Sequence, residues 1–233
     1  MTNNDKKLNG ESISMLRSLI GNKIKRFIHE QFVYTPISVR IVGIDSESKL
    51  YKITSSLQDC DLMGSEDELC FLNFSEAKDS DFQKIEESTI PFVDSFINQK
   101  LLDVILVHDT VDQFDGGQQI SSLTYTKAII FVFESKEYCF EQDWFYQEII
   151  GITQGHDLVS KLDSPESEWD EEDGWAEGCS VKCQRCIEHL KWKSRLREIG
   201  APFSFIHAKL RFNIFILVWR EYQKKRFKVR HHY

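Results

Sequence analysis

The feature that most constrains this chain is a succession of short runs rich in Val, Ile, Phe and Tyr, each closed by polar turn residues before it is long enough to make a helix. Runs of this length and composition fit a pleated surface and read as strands. Strands are predicted over 24–33, 37–44, 50–54, 69–74, 102–108, 123–133, 137–142 and 148–153. Pro36 separates the first two, and the turn Asp45-Ser46-Glu47-Ser48 folds the second and third into a hairpin. One short helix is predicted over 15–20, capped by Ser12 or Ser14. The charged stretch 75–88 reads as a loop or short helix, and Gly116-Gly117 as a turn inside a loop over 112–119. The fold class expected is α+β, predominantly antiparallel β.

Two parts of the chain look alike. Ser18-Leu19-Ile20-Gly21-Asn22-Lys23-Ile24 matches Ser95-Phe96-Ile97-Asn98-Gln99-Lys100-Leu101, and each is followed by two strands and a turn containing Glu-Ser-Lys, at Glu47-Ser48-Lys49 and Glu134-Ser135-Lys136. This pattern suggests a tandem duplication of a helix-plus-meander unit, against which stands the restricted alphabet shared by all strands. The organisation read from it is a polar leader over 1–14, a first β-rich repeat over 15–90, a second over 91–162, an acidic linker over 163–180 and a basic extension over 181–233. Within the extension, 181–199 has a helical composition closed by Gly200 and Pro202, and 203–222 reads best as one or two strands, with a buried helix as the alternative.

Charge is distributed steeply along the chain. Residues 181–233 carry 14 Lys and Arg against 3 Glu, although the whole chain has a net charge of -8. Oppositely charged regions of one chain attract, so the basic end either folds back on the acidic body or leaves one face for a charged partner. At 233 residues the chain needs no metal or disulfide staple to hold a core. Its 6 cysteines are too sparse for a disulfide scaffold, and Cys70 and Cys139 sit in apolar runs as small hydrophobes. Residues 1–12 lack a signal-peptide core, and the apolar run 214–219 is too short to cross a membrane, so a cytoplasmic protein without a membrane role is expected.

Several residue groups invite a chemical reading. Cys179, Cys183, Cys186 and His189 are residue types that zinc prefers, but a helix through the last three would give them little freedom to wrap an ion; no other cofactor is suggested. Asp59, Asp61, Glu66, Asp67 and Glu68 lack the alternating ligands and central Gly of a calcium loop and read as a solvated turn. His108-Asp109 and His156-Asp157 are sequence neighbours, which in a strand point to opposite faces. With no nucleophile elbow, phosphate-binding loop or zinc-protease motif, the chain is expected not to be an enzyme. In the linker, Trp169 and Trp175 flank Asp170, Glu171, Glu172 and Asp173; large aromatics in an acidic loop are either pinned to the body or held for a partner.

The helix ending in Ile-Gly-Asn-Lys-Ile followed by a β meander resembles small bacterial cytoplasmic proteins of the immunity type, partners of secreted toxins. The resemblance spans roughly residues 15–160 by pattern; the Cys-rich basic end departs from it. It implies an inhibitor that binds a basic toxin through an acidic surface, here Trp169, Asp170, Glu171, Glu172, Asp173 and Trp175. The alternative is a nucleic-acid-binding or regulatory module using the basic segment and its interleaved aromatics, with or without zinc.

Overall fold

The apolar runs become strands in the computed structural model, which describes residues 2–31, 38–62, 65–82, 91–143, 145–169 and 179–191. In chain order these are β1 (Thr2–Lys6), α1 (Gly10–Leu19), β2 (Lys23–Glu30), β3 (Ser38–Val39), β4 (Ile41–Ser46), β5 (Leu50–Leu62) and β6 (Ser65–Glu76). There follow a 3-10 turn (Asp79–Phe82), β7 (Phe92–Lys100), β8 (Asp103–Asp115), β9 (Gln118–Val132), β10 (Glu137–Gln142) and β11 (Ile150–Gly155). A second 3-10 turn (Leu158–Lys161), α2 (Pro165–Trp169) and β12 (Cys179–His189) complete the described part. The described residues up to 191 form one compact unit. The strands predicted over 203–222 therefore lie outside the described residues, as does the basic tail.

The fold is mostly antiparallel β with few helices. One sheet has the order β6-β5-β4-β2-β7. The other runs β12-β8-β9-β10-β11-β3, and β1 adds to it in parallel along the first half of β9, Thr2 opposite Ser121 and Lys6 opposite Tyr125. Because β3 belongs to the second sheet and β7 to the first, the sheets exchange strands across the middle of the chain. The main core lies between them. Phe27 on β2 meets Phe131 of β9, Phe133 just beyond the end of β9, and Tyr138 and Phe140 of β10 edge-on, at centroid distances of 5.1 to 6.3 Å. Edge-to-face contact places the positive rim of one ring on the negative face of another. Leu16 and Leu19 of α1 close one end of this core.

A bulge redirects the long hairpin β8–β9. Val107 pairs with Ala128 but His108 with Thr126, so Lys127 is the extra residue. Beyond it Leu123 and Tyr125 enter a second cluster with Phe71 and Leu69 of β6, while Ile129 and Phe131 stay in the main core. Lys127 is itself buried. Its ammonium donates to the Gln142 carbonyl at 2.8 Å and lies 3.3 Å from the Glu141 carboxylate, so the charge is compensated where the strand bends.

Several local expectations need correcting. The helix starts earlier than predicted, and Asn9 is its cap: the Asn9 side chain accepts from the Ser12 backbone N–H at 2.8 Å. Ser12 lies inside the first turn, and its hydroxyl ties α1 to β6 by donating to the Phe74 carbonyl at 2.6 Å. The stretch 112–119 is mostly strand, closed by Gly116 and Gly117, which take the turn's positive φ values of 54° and 84°. The helix predicted over 181–199 is wrong through His189: Cys179–His189 is strand β12, paired with β8 from Cys179 opposite Asp115 to His189 opposite Ile105, and helical backbone is described only at Leu190 and Lys191. Helix propensity is a weak preference, and an eleven-residue ladder along an otherwise open sheet edge outweighs it.

The two matched segments 18–24 and 95–101 take unlike conformations. The first is the end of α1 and its turn into β2, the second is strand β7. The two Glu-Ser-Lys turns do match: Ser46 N–H donates to the Lys49 carbonyl and Phe133 N–H to the Lys136 carbonyl, both at 3.0 Å.

Gly43 on β4 supports a tight outer layer. A Cβ there would stand 2.7 Å from Phe82, whose ring rests edge-on against Phe92 at 5.8 Å. Gly43→Ala is expected to cost about 1–3 kcal/mol through overpacking, read as a lower thermal unfolding midpoint. Adding Phe82→Ala should recover part of the loss, and strictly additive effects would contradict the contact.

Candidate partner-binding site

Of the residues singled out in the acidic linker, Trp169 lies within the described part. It ends α2, and its half-buried ring packs on Phe145 at a centroid distance of 5.2 Å. Phe145 in turn meets Tyr125 at 5.0 Å and Phe71 at 6.2 Å, and the Cys70 N–H donates to the Phe145 carbonyl at 2.7 Å. The indole is therefore pinned to the body at the second cluster. Asp170, Glu171, Glu172, Asp173 and Trp175 follow in sequence and lie outside the described residues.

Two acidic hairpin arms border the same cluster. In β5–β6, Asp59 pairs with Glu68 and Asp61 with Glu66, so the stretch read as a solvated turn is in fact the outer end of a hairpin. Asp59, Asp67 and Glu68 are exposed, whereas Cys60 and Leu69 turn inward beside Trp169. Burial pushes the Cys60 thiol up to about 11, which keeps it neutral there. The β8–β9 arm carries Asp112, which accepts from Ser122 Oγ at 2.6 Å and Gln119 Nε2 at 2.9 Å, and the exposed Asp115. β1 holds the arms side by side. It pairs with β9, while Thr2 Oγ1 donates to the Asp61 carboxylate at 3.1 Å and Asn4 Nδ2 to the Asp61 carbonyl at 2.7 Å. Two cations near the arms lie over rings, Lys6 over Phe71 at 5.8 Å and Lys182 over Phe114 at 4.7 Å.

The cysteine and histidine set is spread along β12. Cys183 faces the second cluster and Cys186 is exposed on the other side of the strand. Cys183 and His189 stand roughly 20 Å apart along a strand, far beyond what a single zinc ion spans. His189 Nδ1 is 2.9 Å from an Asp103 carboxylate oxygen. The Cys179 side chain lies outside the described part. Among the described residues no group of three His, Cys, Asp or Glu side chains could hold a metal.

The neighbouring His108 and Asp109 point to opposite faces. His108 is buried, with Nδ1 3.2 Å from the Thr126 hydroxyl and Nε2 4.0 Å from Glu188, and burial lowers its pKa. Asp109 is fully buried, and both of its oxygens accept from Arg185 at 2.7 Å. His156 is exposed, and Asp157 takes a left-handed conformation ahead of the second 3-10 turn.

No family model matches the chain, and no curated protein or solved structure matches it.

Sequence reading missed the convergence of the two arms, although the acids of the β5–β6 end were visible in it. It also missed a Ser95–His29 pair, because nothing short-range marks residues that meet only through strand pairing.

Proposed function

We propose that this protein is a cytoplasmic binding protein of the immunity or inhibitor kind that neutralises a basic toxin or effector by direct contact. The observation that carries the reading is the packing of Trp169 on Phe145 between two acidic hairpin arms. Asp170, Glu171, Glu172 and Asp173 follow Trp169 directly in sequence, and the arms carry exposed carboxylates at Asp59, Asp67, Glu68 and Asp115. Trp169 acts as the anchor of this surface, and Trp175 with the four acids supplies partner contacts. Clustered like charge steers a complementary partner and raises its on-rate.

The basic segment supports this reading better than a nucleic-acid one where it is described. Arg185 is engaged by Asp109 inside the sheet, and Lys182 lies over Phe114. A tandem origin of the two halves is supported by the two alike Glu-Ser-Lys turns, and the unlike conformations of 18–24 and 95–101 weigh against it.

The test uses the full chain and a basic toxin encoded beside its gene, with growth protection and binding kinetics as readouts. Asp170→Asn, Glu171→Gln, Glu172→Gln and Asp173→Asn together are expected to slow association about tenfold to a hundredfold at low salt. The difference should shrink at high salt through screening. Absence of protection, or equal association by the variant, would overturn the reading.

A further inference from the structure

Strand pairing brings together a serine and a histidine that lie 66 residues apart in sequence. β2 and β7 are antiparallel neighbours, with Phe27 opposite Ser95 and His29 opposite Val93. Ser95 and His29 are therefore diagonal neighbours on one face, and Ser95 Oγ lies 2.8 Å from His29 Nε2. The other ring nitrogen, Nδ1, lies 2.8 Å from the Glu30 carbonyl oxygen. A carbonyl can only accept, so in the neutral ring Nδ1 carries the proton and Nε2 is left to accept from the Ser95 hydroxyl.

The residue that carries this carbonyl is itself held in place. The Glu30 carboxylate accepts from the Arg40 backbone N–H at 3.0 Å and from Arg40 Nε at 3.0 Å, and the Gln31 N–H donates to the Pro91 carbonyl at 2.8 Å. β7 is the last strand of its sheet among the described residues, and Ser95 on it is half-buried. Hydroxyl, base and orienting acceptor thus stand in series, the geometry that activates a serine nucleophile.

We propose that Ser95 is a nucleophile activated by His29, and that it takes a carboxylic ester. Ser95 Oγ bonds to the acyl carbon as its proton passes to His29 Nε2, and the ester C–O bond breaks as that proton leaves with the alcohol. Water then cleaves the acyl-serine by the same proton path in reverse, releasing the acid. With a fluorophosphonate the O–P bond forms, the P–F bond breaks and fluoride leaves, so the label stays on the protein.

The experiment treats the full chain with a fluorophosphonate and maps the label by peptide mass spectrometry across a pH series. One label on Ser95 is expected, with a rate that follows a single titration. It should be absent in Ser95→Ala and about a hundredfold slower in His29→Gln, circular dichroism reporting that each variant keeps its fold. An unlabelled Ser95 in the wild-type protein would overturn the proposal. So would a wild-type rate that rises only in proportion to hydroxide, or an undiminished rate in folded His29→Gln. The inference is independent of the partner-binding reading, and neither failure touches the other.

Discussion

Arg185→Ala is expected to destabilise the protein by about 3–5 kcal/mol, because it leaves a buried carboxylate without the guanidinium that neutralises it. Asp109 is fully buried on β8, and Arg185 Nε and Nη2 each reach one of its oxygens at 2.7 Å from β12. Arg185 also donates to the Leu162 carbonyl at 3.4 Å, which ties the pair to the segment after the second 3-10 turn. Arg185→Lys should recover little, since an ammonium cannot present the planar fork that both oxygens meet. The pair Arg185→Met with Asp109→Leu should cost far less than the sum of the single changes, because no lone charge is then left inside. Urea unfolding gives the free energies, and a single-mutant cost below about 1 kcal/mol would contradict the buried pairing.

A second large effect is expected at Phe27. Its ring belongs to the first sheet and touches four aromatic rings of the second, so Phe27→Ala opens a cavity at the contact between sheets. The expected loss is about 3–5 kcal/mol, with a weakened near-ultraviolet circular dichroism signal from the surrounding rings. Phe27→Leu keeps much of the volume and should lose less. A negligible loss in Phe27→Leu would mean that the ring contacts contribute little beyond filling space.

These two changes also mark where sequence reading succeeds and where it stops. Phe27, Phe131 and Phe140 were placed on strands by the composition of their runs, because a half-buried strand shows its pattern over a few residues. The hairpin around Lys49 was equally legible, since a turn is decided by neighbouring residues. Arg185 was read as part of a helix. Its stretch has no strong local preference, and the open edge of β8, 76 residues away in sequence, determined its conformation. The Lys127 bulge was invisible for the same reason: the register it shifts belongs to the pairing of two strands.

The candidate sites divide in the same way. The sequence by itself determined that this chain would be predominantly β, would concentrate acids ahead of residue 180 and bases after it, and would place tryptophans around Asp170, Glu171, Glu172 and Asp173. All of these follow from composition and short-range pattern. Only the tertiary structure decided that Trp169 is pinned against Phe145, that two acidic arms share its cluster, that the β12 cysteines are spread along a strand, and that Ser95 meets His29. Each of those depends on which strand lies beside which. That choice is made by burial and backbone hydrogen bonding across the whole fold, and no local stretch of sequence carries it.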